Sequence, residues 1–297
     1  MLRKTGNEGK EGKYHPKNAL NDLTGREWLQ FTKSWFVHNP PPRSKSEILH
    51  PAKFPESLVS EFIEFFTKKG ETVLDPFLGT ASTLIACQMT GRRGIGIELV
   101  DKWHDIAAKR LEQPDQVTKQ EIIKGDAAKI REIWEERELP PVDFVITSPP
   151  YWNMLGKSRG GVKSTQKQRK DQGLAEVYSD LKEDLGNITG YTAFIEALGK
   201  TFDDIHRILR ENGYLVIIVQ NVREPRGEVK PLAWDLARRV GKNYLFQGEK
   251  IWCQDNKKLG IWGYPKIFVP NYHHHYCLIF QKRELYVNLK NKLEKCN

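Results

Sequence analysis

From about residue 55 onward strand and helix signals alternate, and few architectures accept such a chain. Glu56 to Lys69 carries Leu58, Val59, Phe62, Ile63 and Phe66, one face of a helix closed by Gly70. Thr72-Val73-Leu74 is a short strand, and a helix through Ala86 to Met89 stops near Gly91. Gly94 to Glu98 is the second strand, Asp101 to Glu112 a helix, Glu121 to Ile123 the third strand and Ala128 to Glu138 a helix. Val142 to Thr147 is the fourth strand. After a long polar stretch, helical periodicity returns from Tyr191 to Arg210 and ends at Gly213, followed by the apolar strand Tyr214 to Val219. Pro231 opens a helix through Leu232, Leu236 and Val240, and Tyr244 to Phe246 and Tyr276 to Phe280 read as closing strands. The expectation is an α/β fold: a doubly wound, mostly parallel sheet with one antiparallel closing strand.

The fourth strand ends in Ser148-Pro149-Pro150-Tyr151. Two prolines cannot continue a ladder, so the strand stops there in a stiff elbow at its carboxyl end, where open α/β sheets bind ligands. The elbow offers a hydroxyl, carbonyls fixed by proline and an aromatic face. Together these can hold a planar group that carries an exocyclic amine. An ordinary turn would also use these residues.

Other strand ends add to the pattern. Asp75 is followed by Pro76, Phe77, Gly79 and small residues, a loop whose N–H groups can approach a ligand. Glu98 ends the second strand, as the acid that receives ribose hydroxyls does in nucleotide folds. Asp126 ends the third, within reach of an adenine amine.

The 297 residues carry 47 Lys+Arg against 38 Asp+Glu, a formal charge of +9 that favours a polyanionic partner. Cys87, Cys253, Cys277 and Cys296 show no CxxC spacing. Neither a secretory signal nor a bilayer-length apolar run is present, so a reduced, cytoplasmic, non-membrane setting without disulfides or zinc is expected. His273, His274 and His275 fall at the entry to a strand, where consecutive side chains alternate in direction, so no metal site is expected.

These residues carry a family resemblance. His50-Pro51-Ala52-Lys53-Phe54-Pro55-Glu56, Asp75-Pro76-Phe77-Leu78-Gly79 and Thr147-Ser148-Pro149-Pro150-Tyr151-Trp152 resemble the segments of the amino-methylating DNA methyltransferases that precede the cofactor loop, form it and hold the target base. The serine form of the last motif is similar to the cytosine-N4 type, whereas adenine-N6 enzymes more often carry Asp or Asn there. The resemblance implies a Rossmann-like fold and S-adenosylmethionine as cofactor, with Lys53, Phe54, Pro55, Asp75, Pro76, Phe77, Gly79, Ser82, Glu98 and Asp126 around it. It also implies Ser148, Pro149, Pro150 and Tyr151 as the catalytic set, acting on a flipped base in duplex DNA. The motif order is that of an unpermuted member. Ala81 stands where the family loop has a second glycine, so negative φ is expected there.

Residues 1–44 are read as an amino-terminal extension and 45–297 as the catalytic domain, with a target-recognition insertion at about 152–190. Trp152, Lys157, Arg159, Lys163, Lys167, Arg169 and Lys170 are its expected DNA contacts. A cognate restriction endonuclease is the further partner such an enzyme would have. Adenine N6, an amine of RNA or protein, and a non-catalytic nucleic-acid-binding module are the alternative readings.

Overall fold

The structure, a computed structural model, describes residues 12–39, 54–112, 118–152, 181, 183–224 and 227–283. Eight strands form one sheet: β1 (Trp35–Val37), β2 (Thr72–Asp75), β3 (Arg93–Glu98), β4 (Gln120–Lys124), β5 (Val142–Thr147), β6 (Leu209–Val219), β9 (Leu245–Cys253) and β10 (His274–Gln281). Their spatial order is β1-β9-β10-β6-β5-β2-β3-β4. From β6 to β4 every neighbour is parallel, and β10 runs antiparallel to both β6 and β9. The short strands β7 (Val222–Arg223) and β8 (Val229–Lys230) form a separate hairpin. The expected doubly wound, mostly parallel sheet with an antiparallel closing strand is therefore the fold.

Side-chain alternation along the strands divides the core into two layers. Leu74, Val145, Leu215, Ile217, Leu278 and Phe280 belong to the layer that includes α5 (Ile130–Glu136), α6 (Tyr191–Ile208) and α7 (Leu232–Val240). Val73, Phe144, Ile146, Val216, Ile218 and Cys277 belong to the layer of α2 (Glu56–Phe66) and α3 (Ser82–Thr90). Residues one apart take opposite faces, as a pleated strand requires. A third, small cluster joins Leu78, Ala81 and Leu84 to Ala107 and Leu111 of α4 (Asp101–Leu111).

The amino-terminal segment is woven into this body. A capping box between Thr24 and Glu27 opens α1 (Gly25–Phe31), and Phe31 stacks on Phe65 of α2 with ring centroids 3.9 Å apart. β1 pairs in parallel with the end of β9, Trp35 opposite Ile251. Lys250 is buried and donates to the carbonyls of Phe31 and Lys33, tying the segment down from beneath.

Two strands run well beyond their expected bounds: β9 continues from Phe246 to Cys253, and β6 starts early. α6 ends at Ile208, and β6 begins at Leu209 instead of Tyr214. Leu209 is buried and pairs with Val142, so tertiary packing extends the strand back through Gly213. The turn of the backbone falls on Asn212, at φ 61°, next to a register shift against β5.

Candidate active site

The sheet order changes direction between β2 and β5, and a cleft opens beyond the carboxyl ends of β2, β3, β4 and β5. Its walls include Phe54, Pro76, Phe77, Gly79, Ser82, Glu98, Asp126, Ser148 and Pro150. Residues from four strand ends and from the approach to α2 thus converge, although they lie nearly a hundred positions apart.

Glu98 is the keystone. Its Oε2 accepts from the Gly79 N–H at 2.8 Å, its Oε1 from the Val100 N–H at 2.8 Å, and its backbone carbonyl from the Gly125 N–H at 3.0 Å. One residue therefore positions the loops after β2, β3 and β4. Burial pushes its pKa up to about 7 against the pull of those two N–H bonds. Each carboxylate oxygen keeps a second lone pair for a ligand hydroxyl. Asp126 receives the Ala128 N–H at 2.9 Å and so caps the short 3-10 turn before α5.

Asp75 has another place. It is completely buried beneath the loop, outside the cleft wall. Oδ1 accepts from Thr147 Oγ1 at 2.6 Å and from the Phe77 N–H at 3.1 Å, and Oδ2 from Thr83 Oγ1 at 2.5 Å. Burial pushes its pKa up to about 6, opposed by these bonds. Its carboxyl joins β2, β5 and α3 and touches no ligand space, because its oxygens point back into the protein. Pro55, just before α2, is also buried outside the wall. Lys53 lies outside the described residues.

The loop corrects one expectation. Ala81 adopts φ 66°, the left-handed region, so the alanine keeps a glycine-like backbone. Left-handed geometry costs an L-residue roughly 1–2 kcal/mol. Burial of the methyl among Leu78, Leu84, Ala107 and Leu111 offsets part of it, about 0.8 kcal/mol.

At the elbow, Ser148 and Pro150 face the cleft, while Pro149 and Tyr151 are buried behind them. Ser148 Oγ donates to the Tyr151 hydroxyl at 3.2 Å, which donates to the Ile218 carbonyl at 3.4 Å. Burial pushes the Tyr151 pKa up to about 12, so the phenol holds its proton. With its own proton directed at Tyr151, the Ser148 oxygen is left as an acceptor. The ring of Tyr151 offers no open face in this arrangement, so the platform expected for a flipped base is not exposed. Trp152 is core as well: it is 5% exposed, donates from Nε1 to Ile188 O at 3.0 Å and meets Tyr191 edge-on. It is not a DNA-facing residue here. The six basic positions expected to contact DNA, Lys157 to Lys170, lie outside the described residues.

Leu99, Val100, Trp103, Glu183, Asp184 and Leu185 also line the wall and are not singled out by the sequence. Leu99 and Val100 directly follow the strand-end acid, the one local signal that could have found them. The acids arrive from a polar stretch with no periodicity to place it. Around the cleft, the described wall holds four carboxyl residues and no Lys, Arg or His. That acceptor set suits a cationic nucleoside and repels the phosphates of a dinucleotide.

The histidines resolve by alternation along β10. His275 stacks on Trp252 with centroids 4.6 Å apart, and its Nδ1 lies 3.5 Å from the Tyr151 hydroxyl. Burial, then Lys257 and His274, push its pKa down to about 3, so the ring is neutral. His274 turns the other way, toward the Tyr276 hydroxyl.

Residues 3–109 match a family described as DNA methylase, the N6/N4 type. The type II methyltransferase M.BglI of Bacillus subtilis is 35% identical over 92 residues, which are 31% of this chain and 26% of that protein. The orphan methyltransferase M.BamHII of Bacillus amyloliquefaciens is 31% identical over 107 residues, 35% of this chain and 38% of that one. The likeness is to the amino-methylating DNA methyltransferases. It spans roughly a third of these relatives' own length, and the family match takes in the strand ends at Asp75 and Glu98. Among solved structures, TrmN of Thermus thermophilus aligns at TM-score 0.43 and 12% identity, over 76% of this chain and 48% of that one.

Proposed function

We propose that this chain transfers the methyl group of S-adenosylmethionine to an exocyclic amino nitrogen of a base in duplex DNA, cytosine N4 in the first instance. The observation that carries the reading is the meeting of Glu98 and Asp126 with Ser148 and Pro150 in one cleft. An acidic nucleoside site and an amine-accepting elbow then lie side by side.

When bound, S-adenosylmethionine supplies an electrophilic methyl group on a cationic sulfonium. Glu98 would receive the ribose hydroxyls and Asp126 the adenine amine, with Phe54, Phe77, Gly79 and Ser82 along the remaining wall. The acidic lining suits a cationic ligand. The Ser148 oxygen and the Pro149 carbonyl would accept hydrogen bonds from the target NH2 and draw the nitrogen lone pair out of conjugation, toward sp3 character. As that lone pair takes the methyl and the carbon–sulfur bond breaks to a neutral thioether, the nitrogen gives up one proton past Ser148 to solvent. Orientation supplies the rest of the rate. Among the described residues no cysteine lines the cleft to serve a covalent route, and burial pushes the thiol pKa values of Cys87 and Cys277 up. The +9 charge fits a polyanionic substrate. In a restriction-modification pair, a nuclease reading the same site would be the partner.

The test is methyl transfer from labelled S-adenosylmethionine to unmethylated duplex DNA, followed by nucleoside analysis. N4-methylcytosine is the expected product. N6-methyladenine would keep the cleft chemistry and overturn the base assignment. Cofactor binding with no label in DNA would overturn the DNA reading.

A further inference from the structure

The loop between β9 and β10, residues 254–273, belongs to neither hydrophobic layer, yet it is internally built. Asn271 clamps it: Oδ1 accepts from the Gly260 N–H at 2.9 Å and from Trp262 Nε1 at 3.0 Å, while Nδ2 donates to the Gly260 carbonyl at 3.0 Å. Trp262 lies so close over Gly260 that a Cβ there would sit 2.3 Å from the indole. Gly263, at φ 77°, turns the chain, and its carbonyl receives the N–H groups of Lys266 and Ile267 at 2.8 and 2.9 Å. This folded tip leaves large apolar side chains in water: Ile261 is 84% exposed, Tyr264 82% and Phe268 87%. Lys257, Lys258 and Lys266 are exposed among them. The loop's one acid, Asp255, accepts from Asn39 Nδ2 at 2.6 Å.

Position decides what such a surface meets. Because β9 runs parallel to β6, its carboxyl end emerges on the same side of the sheet as the elbow. The loop returns into β10 at His274, one residue before the His275 ring that lies 3.5 Å from Tyr151. The apolar tip is thus rooted beside the residue that supports Ser148. A base in a duplex reaches Ser148 only if it leaves the stack, and the gap it leaves is apolar and flanked by phosphates. Apolar side chains that enter base steps beside cationic ones are the known complement of such a gap.

We propose that residues 257–268 dock on duplex DNA at the emptied base position, with Phe268 and Tyr264 as the apolar wedge and Lys257, Lys258 and Lys266 on the flanking phosphates. The inference rests on the DNA reading above and adds the element that opens the duplex. An aromatic tip with lysines could also meet an anionic membrane, and the same experiment separates the two.

The experiment measures methyl transfer by wild type and by the Tyr264→Ala, Phe268→Ala double variant. Two substrates are compared: a fully paired duplex, and the same duplex with the target base opposite an abasic site, already free to leave the stack. The cost of unstacking implies about a tenfold or larger loss on the paired duplex and less than about a threefold loss on the abasic one. S-adenosylmethionine affinity, measured alongside, stays within about twofold because the loop lies outside the cleft wall. Equal losses on both substrates, or none on either, overturn the wedge. Phosphatidylglycerol vesicles that bind wild type but not the variant, with DNA transfer unchanged, assign the tip to a membrane and overturn the proposal. Wild type that binds cofactor but methylates neither substrate defeats the DNA reading itself, and that outcome is distinct from failure of the loop alone.

Discussion

On the β2–β4 side of the cleft the loops are tied through backbone N–H groups to Glu98 and, one layer below, to Asp75. On the β5–β10 side the contacts run through side chains and reach outward from the elbow: Ser148 to Tyr151 within it, Tyr151 on to the Ile218 carbonyl of β6, and His275 of β10 between Tyr151 and Trp252 of β9. The first arrangement depends on local loop geometry after each strand. The second depends on register between β6, β9 and β10. One side is a receptacle whose loops converge on two buried carboxyls, and the other is a relay that also needs β6, β9 and β10 in register.

The largest effect that could break this contrast comes from Trp152, which the fold places in the core of the elbow side. Trp152→Ala should lower the unfolding free energy by about 3–5 kcal/mol in urea titration. A variant of near-normal stability with weakened DNA binding would return Trp152 to the DNA surface. On the receptacle side, Asp75→Ala leaves two threonine hydroxyls and a backbone N–H without their acceptor, which should cost about 2–4 kcal/mol. Cofactor affinity should fall only as the loop loosens, so full stability alongside lost binding would place Asp75 in the cleft after all.

Glu98 sharpens the comparison through pH. Its folded pKa of about 7 lies above the ordinary 4.5, so between these values the folded state holds a proton that the unfolded chain has lost. Stability from this group is therefore fully present below pH 4.5 and falls as pH rises to about 7, a change on the order of 1–3 kcal/mol. Asp75 acts in the same direction between 3.8 and about 6. Glu98→Gln should flatten the stability profile between pH 6 and 7, above the Asp75 window; an unchanged slope there would refute the assignment.

On the relay side, Tyr151→Phe keeps the ring but removes the acceptor of the Ser148 proton. Turnover should drop about tenfold, with a stability cost near 1 kcal/mol and unchanged cofactor affinity. Normal turnover would show that Ser148 needs no orienting partner. The smallest effect belongs to Ala81→Gly. Relief of left-handed strain is offset by loss of a buried methyl and by added unfolded-state entropy, so stability should change by less than about 1 kcal/mol. A gain above 2 kcal/mol would mean that the loop is more strained than its packing suggests.

The same contrast explains what could be read in advance. Glu98, Gly79 and Asp126 were legible because a strand end, a loop and a helix start are all written within a few residues. The parallel sheet and its antiparallel closing strand were legible from alternation alone. Tyr151 was recognised as part of the elbow, but its burial was not, because the groups that cover it come from β6 and β10. Ala81 was misjudged because local preference favoured negative φ, while the cluster with Leu84 and Ala107 holds the other geometry. Glu183 and Asp184 reach the cleft by tertiary placement of a stretch that has no pattern of its own.

The central claim is that cofactor and amine sites share one cleft but depend on separate residues. Isothermal titration of S-adenosylmethionine into wild type, Glu98→Ala and Ser148→Ala, each paired with a turnover assay, tests it most directly. The account predicts at least about tenfold weaker binding for Glu98→Ala, and for Ser148→Ala near-normal binding with turnover cut by at least about tenfold. Undiminished cofactor binding by Glu98→Ala, or full activity in Ser148→Ala, would contradict it.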